Sequence, residues 1–273
     1  MSWFEAVVLG VLQGLTEFLP ISSSAHIRIV GDLAGWGDPG AAFTAVIQIG
    51  TELAVLVYFR HDIARIVSTW TLSLFRPALR GDVDARLGWY VIVGTIPIVV
   101  LGIAFEDQIQ TLARDLRLTA TMLVVVGLLL FAADRYASLT KPLKRLGMRD
   151  AVFLGMAQAC ALIPGVSRSG ATISLGLALG YEREAAARYA FLLAIPAVLG
   201  SGFYQLPDVA ELGSDEVGAT AIAAVVAFVV GYATIAWLLR YISTHDFTPF
   251  VVYRVALGLT VFGLLAAGVL TPR

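Results

Sequence analysis

The chain has 273 residues, 58% of them hydrophobic and only 14% charged, with a mean hydropathy of +0.82. That balance excludes a water-soluble globule and predicts a polytopic helical membrane protein. A formal net charge of −1 excludes the basic surface of a nucleic-acid binder, and the lone Cys160 excludes an internal disulfide or a cysteine metal cluster.

In chain order, Met1 to Leu12 lacks the basic n-region of a cleavable signal and runs straight into LGVLQGLTEFLPISSSAHI, residues 9 to 27. Its shape is an apolar half-helix, a proline break, a serine cluster and a second short apolar segment. A Gly/Asp/Pro turn follows within 29 to 40, and apolar runs of membrane-crossing length lie at about 41 to 59, 88 to 105 and 117 to 134. After a polar, basic connection the first stretch returns as LGMAQACALIPGVSRSGATI, residues 154 to 173. With a one-residue slip at the proline, the copies match at Leu9/Leu154, Gly10/Gly155, Gln13/Gln158, Pro20/Pro164, Ser22/Ser167 and Ser24/Ser169. Further spans are expected at about 184 to 203, 217 to 240 and 249 to 270. Cys160, in apolar surroundings, is expected to be a small packing residue.

The expected fold is therefore all-α, with two inverted-topology repeats, each a re-entrant helix pair followed by three transmembrane helices. The first repeat is 1–136 with its pair at about 4–35, the cytoplasmic basic linker is 137–150, and the second repeat is 151–273 with its pair at about 151–180. Arg60, Arg65, Arg76, Arg80 and Arg86 share one side with the linker's Lys141, Lys144, Arg145 and Arg149, and with Arg183, Arg188 and Arg240. The other side holds Arg114, Arg117, Arg273 and the acidic loop 204 to 218, so the basic side is predicted cytoplasmic and both termini outside. Three spans per half force opposite orientations, so the broken hairpins enter from opposite leaflets and their tips can meet near the midplane.

The tips carry the chemistry. Gln13 and Glu17, at i and i+4, share one face of the first half-helix. Ser22, Ser23 and Ser24 stand at the start of the next half-helix with His26 in its first turn. In the second tip, Pro164 and Gly165 break the chain, Ser167 and Ser169 stand at the cap, and Arg168, Gly170 and Thr172 open the helix that runs to Gly180. Two helix N-termini converging with an arginine make an anion site, and phosphate suits it best. An ionisable side chain at bilayer depth costs roughly 2.5–3.5 kcal/mol on insertion scales, so Glu17, His26 and Arg168 need a shared purpose. A Glu17–Arg168 lock between the halves would not require His26, the hydroxyls and both helix ends as well.

Other polar residues have plainer readings. Glu52, mid-span with Gln48 at i−4, is expected to pair with Arg254 rather than join the site. Glu106 and Asp107 should be solvated, His61 and His245 interfacial, and Trp36, Trp70, Trp89 and Trp237 belt or packing residues.

LQGLTEFLPISSSAH and PGVSRSGAT resemble the two signatures of the bacterial undecaprenyl-diphosphatase family associated with bacitracin resistance, and the layout of spans is similar over essentially the whole chain. The resemblance implies a multi-pass enzyme of the bacterial inner membrane that hydrolyses undecaprenyl diphosphate to undecaprenyl phosphate and phosphate, recycling the lipid carrier of peptidoglycan synthesis. It implies inverted repeats, a divalent cation and an active site open to the extracytoplasmic face. Its functional residues fall on Gln13, Glu17, Ser23, His26, Ser167, Arg168, Ser169 and Thr172, to which Ser22, Ser24 and Gly170 are added as substrate-binding neighbours. Gln13 stands where some members have a second acid, so Glu17 is the only carboxylate of the motif.

On this reading Arg168, the helix ends and a Mg²⁺ or Ca²⁺ held by Glu17 and Gln13 neutralise the diphosphate. Ser23 activated by His26 is the preferred nucleophile, with His26 itself or a water activated by Glu17 or the metal as alternatives. The partners expected are a polyprenyl diphosphate, the bilayer and, compatibly, a second copy in a homodimer; nucleic acid is not expected. A lipid phosphatase of the acid-phosphatase type would need a second histidine soon after the arginine, and SGATISLGLALG contains none. Broken inverted repeats also serve secondary transporters, so movement of a lipid phosphate or anion is the alternative from another class.

Overall fold

A computed structural model of the protein describes residues 1–112, 115–205 and 214–272. Arg114, Arg273 and residues 206–213 of the acidic loop, all used above to assign the outer side, lie outside the described residues. Among the described residues the chain is helical, with no strand and one isolated bridge between Lys141 and Tyr181.

Helix α1 (Trp3–Thr16) opens with a capping box, in which Glu5 N–H donates to Ser2 Oγ and Ser2 N–H to the Glu5 carboxylate. It stops short of Pro20, whose missing N–H could not carry the helix on. Helix α2 (Ser23–Ala34) follows and ends at Gly35 in the left-handed region, φ 71°. Next come α3 (Ala41–Tyr58) and α4 (Arg60–Phe75), which meet at a 78° bend. Then α5 (Val83–Ala104), the short α6 (Glu106–Leu112) and α7 (Leu116–Tyr136) complete the first half. The second half repeats the opening: α8 (Met148–Ala159), a 3₁₀ turn at Cys160–Leu162, and α9 (Arg168–Ala178). It closes with α10 (Arg183–Tyr204), α11 (Ser214–Ile242) and α12 (Thr248–Ala266).

Helices α5, α7, α10, α11 and α12 are long and apolar enough to cross a membrane, and α3 with α4 adds a sixth candidate if the bent pair counts as one span. The protein is a multi-pass membrane protein. The expected spans coincide with these helices. The connection after α3, which carries Arg60, Arg65, Arg76, Arg80 and Arg86, is largely the helix α4. Arg65 of α4 bonds Asp84 of α5 at 2.7 Å, and Arg188 of α10 bonds Asp62 of α4 at 2.6 Å, so charge pairs hold α4 across the ends of the bundle.

The two halves interlock. Helix α1 packs on α11 and α8 on α5, while α7 packs on α12 and α10 touches α3, α5 and α9. Lipid offers no hydrophobic gain for joining helices, so close contact depends on small residues. A Cβ on Gly14 of α1 would lie 2.7 Å from Val230 Cβ and 2.9 Å from Ala227 O of α11. The opposite faces are lipid-facing: on α5, Ile96, Val100 and Ile103 are more than half exposed. Cys160 is also exposed, in the turn after α8, so it is not the packing residue expected.

Candidate active site

Both chain breaks lie at one junction. Ser169 Oγ donates to the carbonyls of Glu17 (3.2 Å) and Leu19 (3.1 Å), and Arg168 Nη2 donates to Glu17 Oε1 at 3.1 Å. Broken helices leave carbonyls without intrahelical partners, and in a membrane interior those groups must be satisfied by protein. Arg254 of α12, wholly buried, does this for both breaks. Its Nη1 donates to Pro20 O (2.8 Å), its Nη2 to Gly165 O (2.8 Å) and Val166 O (3.1 Å), and its Nε to Leu123 O (3.0 Å) of α7. Gly165 has φ +83°, and a Cβ there would run into the Thr119 carbonyl, which explains glycine after Pro164.

Ser22 (φ 76°) and Ser167 (φ 69°) share the positive-φ region, which non-glycine residues rarely enter. They occupy matched positions in the two motifs, each as the N-cap of the following half-helix. Strain repeated at equivalent positions beside a buried charge cluster marks a functional junction. Ser167 Oγ accepts from Gly170 N–H at 3.1 Å, whereas Ser22 makes no side-chain cap bond, leaving the first turn of α2 free to receive an anion.

Glu17 is the hub of the side chains. Its Oε2 accepts from Ser23 Oγ at 2.6 Å and from Gln13 Nε2 at 3.0 Å, while Oε1 faces Arg168. The Ser23 contact is as short as a charge-assisted hydroxyl bond. The Glu17 and Arg168 side chains remain 12% and 17% exposed, enough to meet a ligand. The Ser23/His26 pairing expected from sequence is not what the structure shows. His26 Nδ1 lies 2.7 Å from Ser22 O, a pure acceptor, so Nδ1 carries a proton; Nε2 lies 2.7 Å from Tyr253 OH, from which the neutral ring accepts. The imidazole also stacks on Tyr253, with centroids 5.5 Å apart. Both ring nitrogens are engaged, and the carboxylate is what reaches Ser23.

The remaining predicted residues gather at the same place with different partners. Ser24 is exposed, its Oγ 3.3 Å from Ser22 Oγ, and Ser167 Oγ lies 3.1 Å from Ser169 Oγ. Thr172 is buried, and among the described residues its Oγ1 has no partner. A Cβ on Gly170 would sit 2.6 Å from Arg254 Nη1, so this glycine makes room for the guanidinium. Glu52 does not pair with Arg254, as expected from sequence; it lines a cavity with Glu17, Arg168 and Ser169. Arg254 instead spends its donors on carbonyls freed by the prolines. Its carbonyl clamp and the Tyr253 contact were missed by sequence reasoning. A full charge in a span was the visible signal for Arg254, while Tyr253 had none.

For a cation, the donor set fits an oxygen-ligated ion. Glu17 supplies a carboxylate, and Gln13 Oε1 is a buried acceptor without a donor among the described residues. Among the described residues no three His, Cys, Asp or Glu side chains form a ready cage, so substrate oxygens would complete the shell, as is usual for Mg²⁺.

Residues 6–260 match the family described as Bacitracin resistance protein BacA. Among curated relatives, an undecaprenyl-diphosphatase of a Nocardioides species is 59% identical over 273 residues, covering 99% of each chain. One from Streptomyces griseus is 60% identical over 285 residues, covering all of this chain and 98% of the relative. A third, from Thermobifida fusca, is 58% identical over 273 residues, covering all of this chain and 94% of the relative.

Proposed function

The chain belongs to the bacitracin resistance protein BacA family, and from that premise we propose that it is an undecaprenyl-diphosphatase, releasing phosphate from undecaprenyl diphosphate so that the lipid carrier re-enters peptidoglycan synthesis. The observation that carries the reading is the junction itself: a serine hydroxyl held by a carboxylate, beside an arginine, between two helix N-termini. Phosphoryl transfer asks for positioning and charge neutralisation, and this set supplies both.

In the mechanism we favour, Arg168 and the N–H groups opening α2 and α9 bind the terminal phosphate. Ser23 Oγ attacks that phosphorus while its proton passes to Glu17 Oε2, its hydrogen-bond partner. The anhydride P–O bond breaks and undecaprenyl phosphate leaves with the electron pair. Water then cleaves the Ser23 ester: Glu17 returns its proton to Ser23 Oγ, the water oxygen and one hydrogen depart on phosphate, and the other hydrogen is lost to solvent. His26, neutral and tied between Ser22 O and Tyr253, fixes the strained N-cap rather than moving the proton. Mg²⁺ or Ca²⁺, bound by Glu17 and the Gln13 carbonyl oxygen, would supply Lewis-acid neutralisation of the diphosphate charge.

The inverted-repeat reading belongs to the same proposal, with repeats 1–136 and 151–273 joined by the linker 137–150. It is supported by the exchange of contacts between halves, in which α1 packs on α11 as α8 packs on α5. The basic side is read as cytoplasmic, and the site is placed open to the extracytoplasmic face as part of the same proposal.

Purified protein in detergent is expected to release inorganic phosphate from a prenyl diphosphate, and chelation should suppress it. Acid quenching during turnover of terminally labelled substrate should leave label on Ser23, and Ser23→Ala should remove both label and activity. Label on His26, or none, would retire the serine nucleophile. No release, with flux in sealed vesicles, would make the protein a transporter.

A further inference from the structure

Glu52 is a buried carboxyl that the chemistry above leaves unused. It sits in α3, 3% exposed, and among the described residues it makes no hydrogen bond; its Oε1 is sealed from solvent. An ionised carboxylate without a partner costs several kcal/mol in such a place, so the carboxyl either keeps its proton or meets a cation from outside the chain. The side chain lines a small cavity of about 20 Å³, which it shares with Glu17, Arg168, Ser169, Phe18 and Phe191. Arg168 makes no hydrogen bond to it among the described residues; its Nη2 donates to Glu17 Oε1.

Beside the free donors of Arg168, the site also holds unmatched acceptors. Glu52 Oε1 and Gln13 Oε1 are both buried without donors, and Glu17 belongs to both neighbourhoods: it bonds Gln13 and lines the cavity with Glu52. Oxygen lone pairs collected around one carboxylate call for a cation. The available ligands are all hard oxygens, since both His26 nitrogens are engaged. That favours the Mg²⁺ and Ca²⁺ class over zinc. The charges agree: with Glu52 ionised, two carboxylates against Arg168 leave the cavity net negative and hostile to a diphosphate, while a divalent ion makes it net positive.

We propose that Glu52 is a ligand of the divalent cation, the second carboxylate of the site, delivered from α3 because the motif position beside Glu17 is the amide Gln13. The proposal rests on the phosphatase reading above and deepens it. The test is calorimetric titration of the detergent-purified full-length protein with Mn²⁺ and Ca²⁺, alongside phosphate release as a function of cation concentration. Glu52→Gln is expected to weaken cation binding by at least the roughly 10- to 100-fold that loss of an outer-shell partner costs, and to displace the activation curve equally. Gln13→Glu combined with Glu52→Gln, which returns a carboxylate to the other side of Glu17, should regain most of that affinity. Glu52→Asp, retaining the charge on a shorter arm, should fall between. Parent-like cation affinity in Glu52→Gln overturns the proposal, including when phosphate release is lost. Parent protein that binds Mn²⁺ yet releases no phosphate would sink the phosphatase reading, and the Glu52→Gln affinity would still decide this one.

Discussion

Arg168→Ala is expected to lower phosphate release by roughly 10³-fold or more, the scale on which an arginine that stabilises a transferring phosphoryl group acts. Arg168 opens α9, so its charge sits at a helix N-terminus that already favours an anion. One Nη2 bond to Glu17 occupies part of the guanidinium, and its other N–H groups make no hydrogen bond among the described residues. Those free donors are what a terminal phosphate would take, in the forked geometry that lysine cannot reproduce. Arg168→Lys should therefore recover only part of the loss. The fold should survive, because Glu17 keeps its bonds from Ser23 and Gln13 when the arginine is gone. Steady-state phosphate release together with thermal unfolding in detergent separates the two effects: the expected result is a collapse in kcat with an unfolding temperature within a few degrees of the parent. Full activity in Arg168→Ala would remove the phosphate clamp.

Much of this arrangement was legible in the sequence because its signals are local. Pro20, and Pro164 with Gly165, must break helices whatever surrounds them, and serine clusters after such breaks must open new ones. A Glu17–Arg168 contact followed from the cost of leaving either charge alone in an apolar chain, and it is present at 3.1 Å. What was not legible depends on which groups meet across long sequence separations. Ser23 and His26 lie one helical turn apart, so the sequence favours their pairing; the imidazole is instead drawn away by Tyr253, 227 positions on in the chain. Glu52 and Arg254 looked like a pair because each is a charge in a span. Arg254 found neutral carbonyls instead, since two broken helices offer acceptors that no sequence pattern advertises. The bend between α3 and α4 was hidden for another reason. Residues 60–75 follow a run already long enough to cross the bilayer and so read as a connection, whereas in the structure they form a helix turned 78° from the span before it.

Arg254→Met should be the most destabilising single change at the junction, by about 3–5 kcal/mol, the scale of removing one partner from a buried charged network. Methionine fills much of the volume, so the loss isolates the hydrogen bonds rather than a cavity. In the parent, one guanidinium holds Pro20 O of the first break, Gly165 O and Val166 O of the second, and Leu123 O of α7. Each carbonyl left buried and unpaired costs about 1–3 kcal/mol, only partly offset by no longer burying the cation. Against a total stability of typically 5–15 kcal/mol, that is a large share. Arg254→Lys keeps the charge but has its donors on one nitrogen, which cannot serve both breaks and α7 together, so an intermediate loss is expected. The signature differs from that of Arg168: here the unfolding temperature and the activity should fall together, because the clamp never touches substrate and acts only by holding Glu17 and Ser23 of one tip against Arg168 of the other. A methionine variant that unfolds at the parent temperature with parent kcat would mean that the two tips stay joined without it, and that Ser169, through its bonds to Glu17 O and Leu19 O, suffices as the bridge.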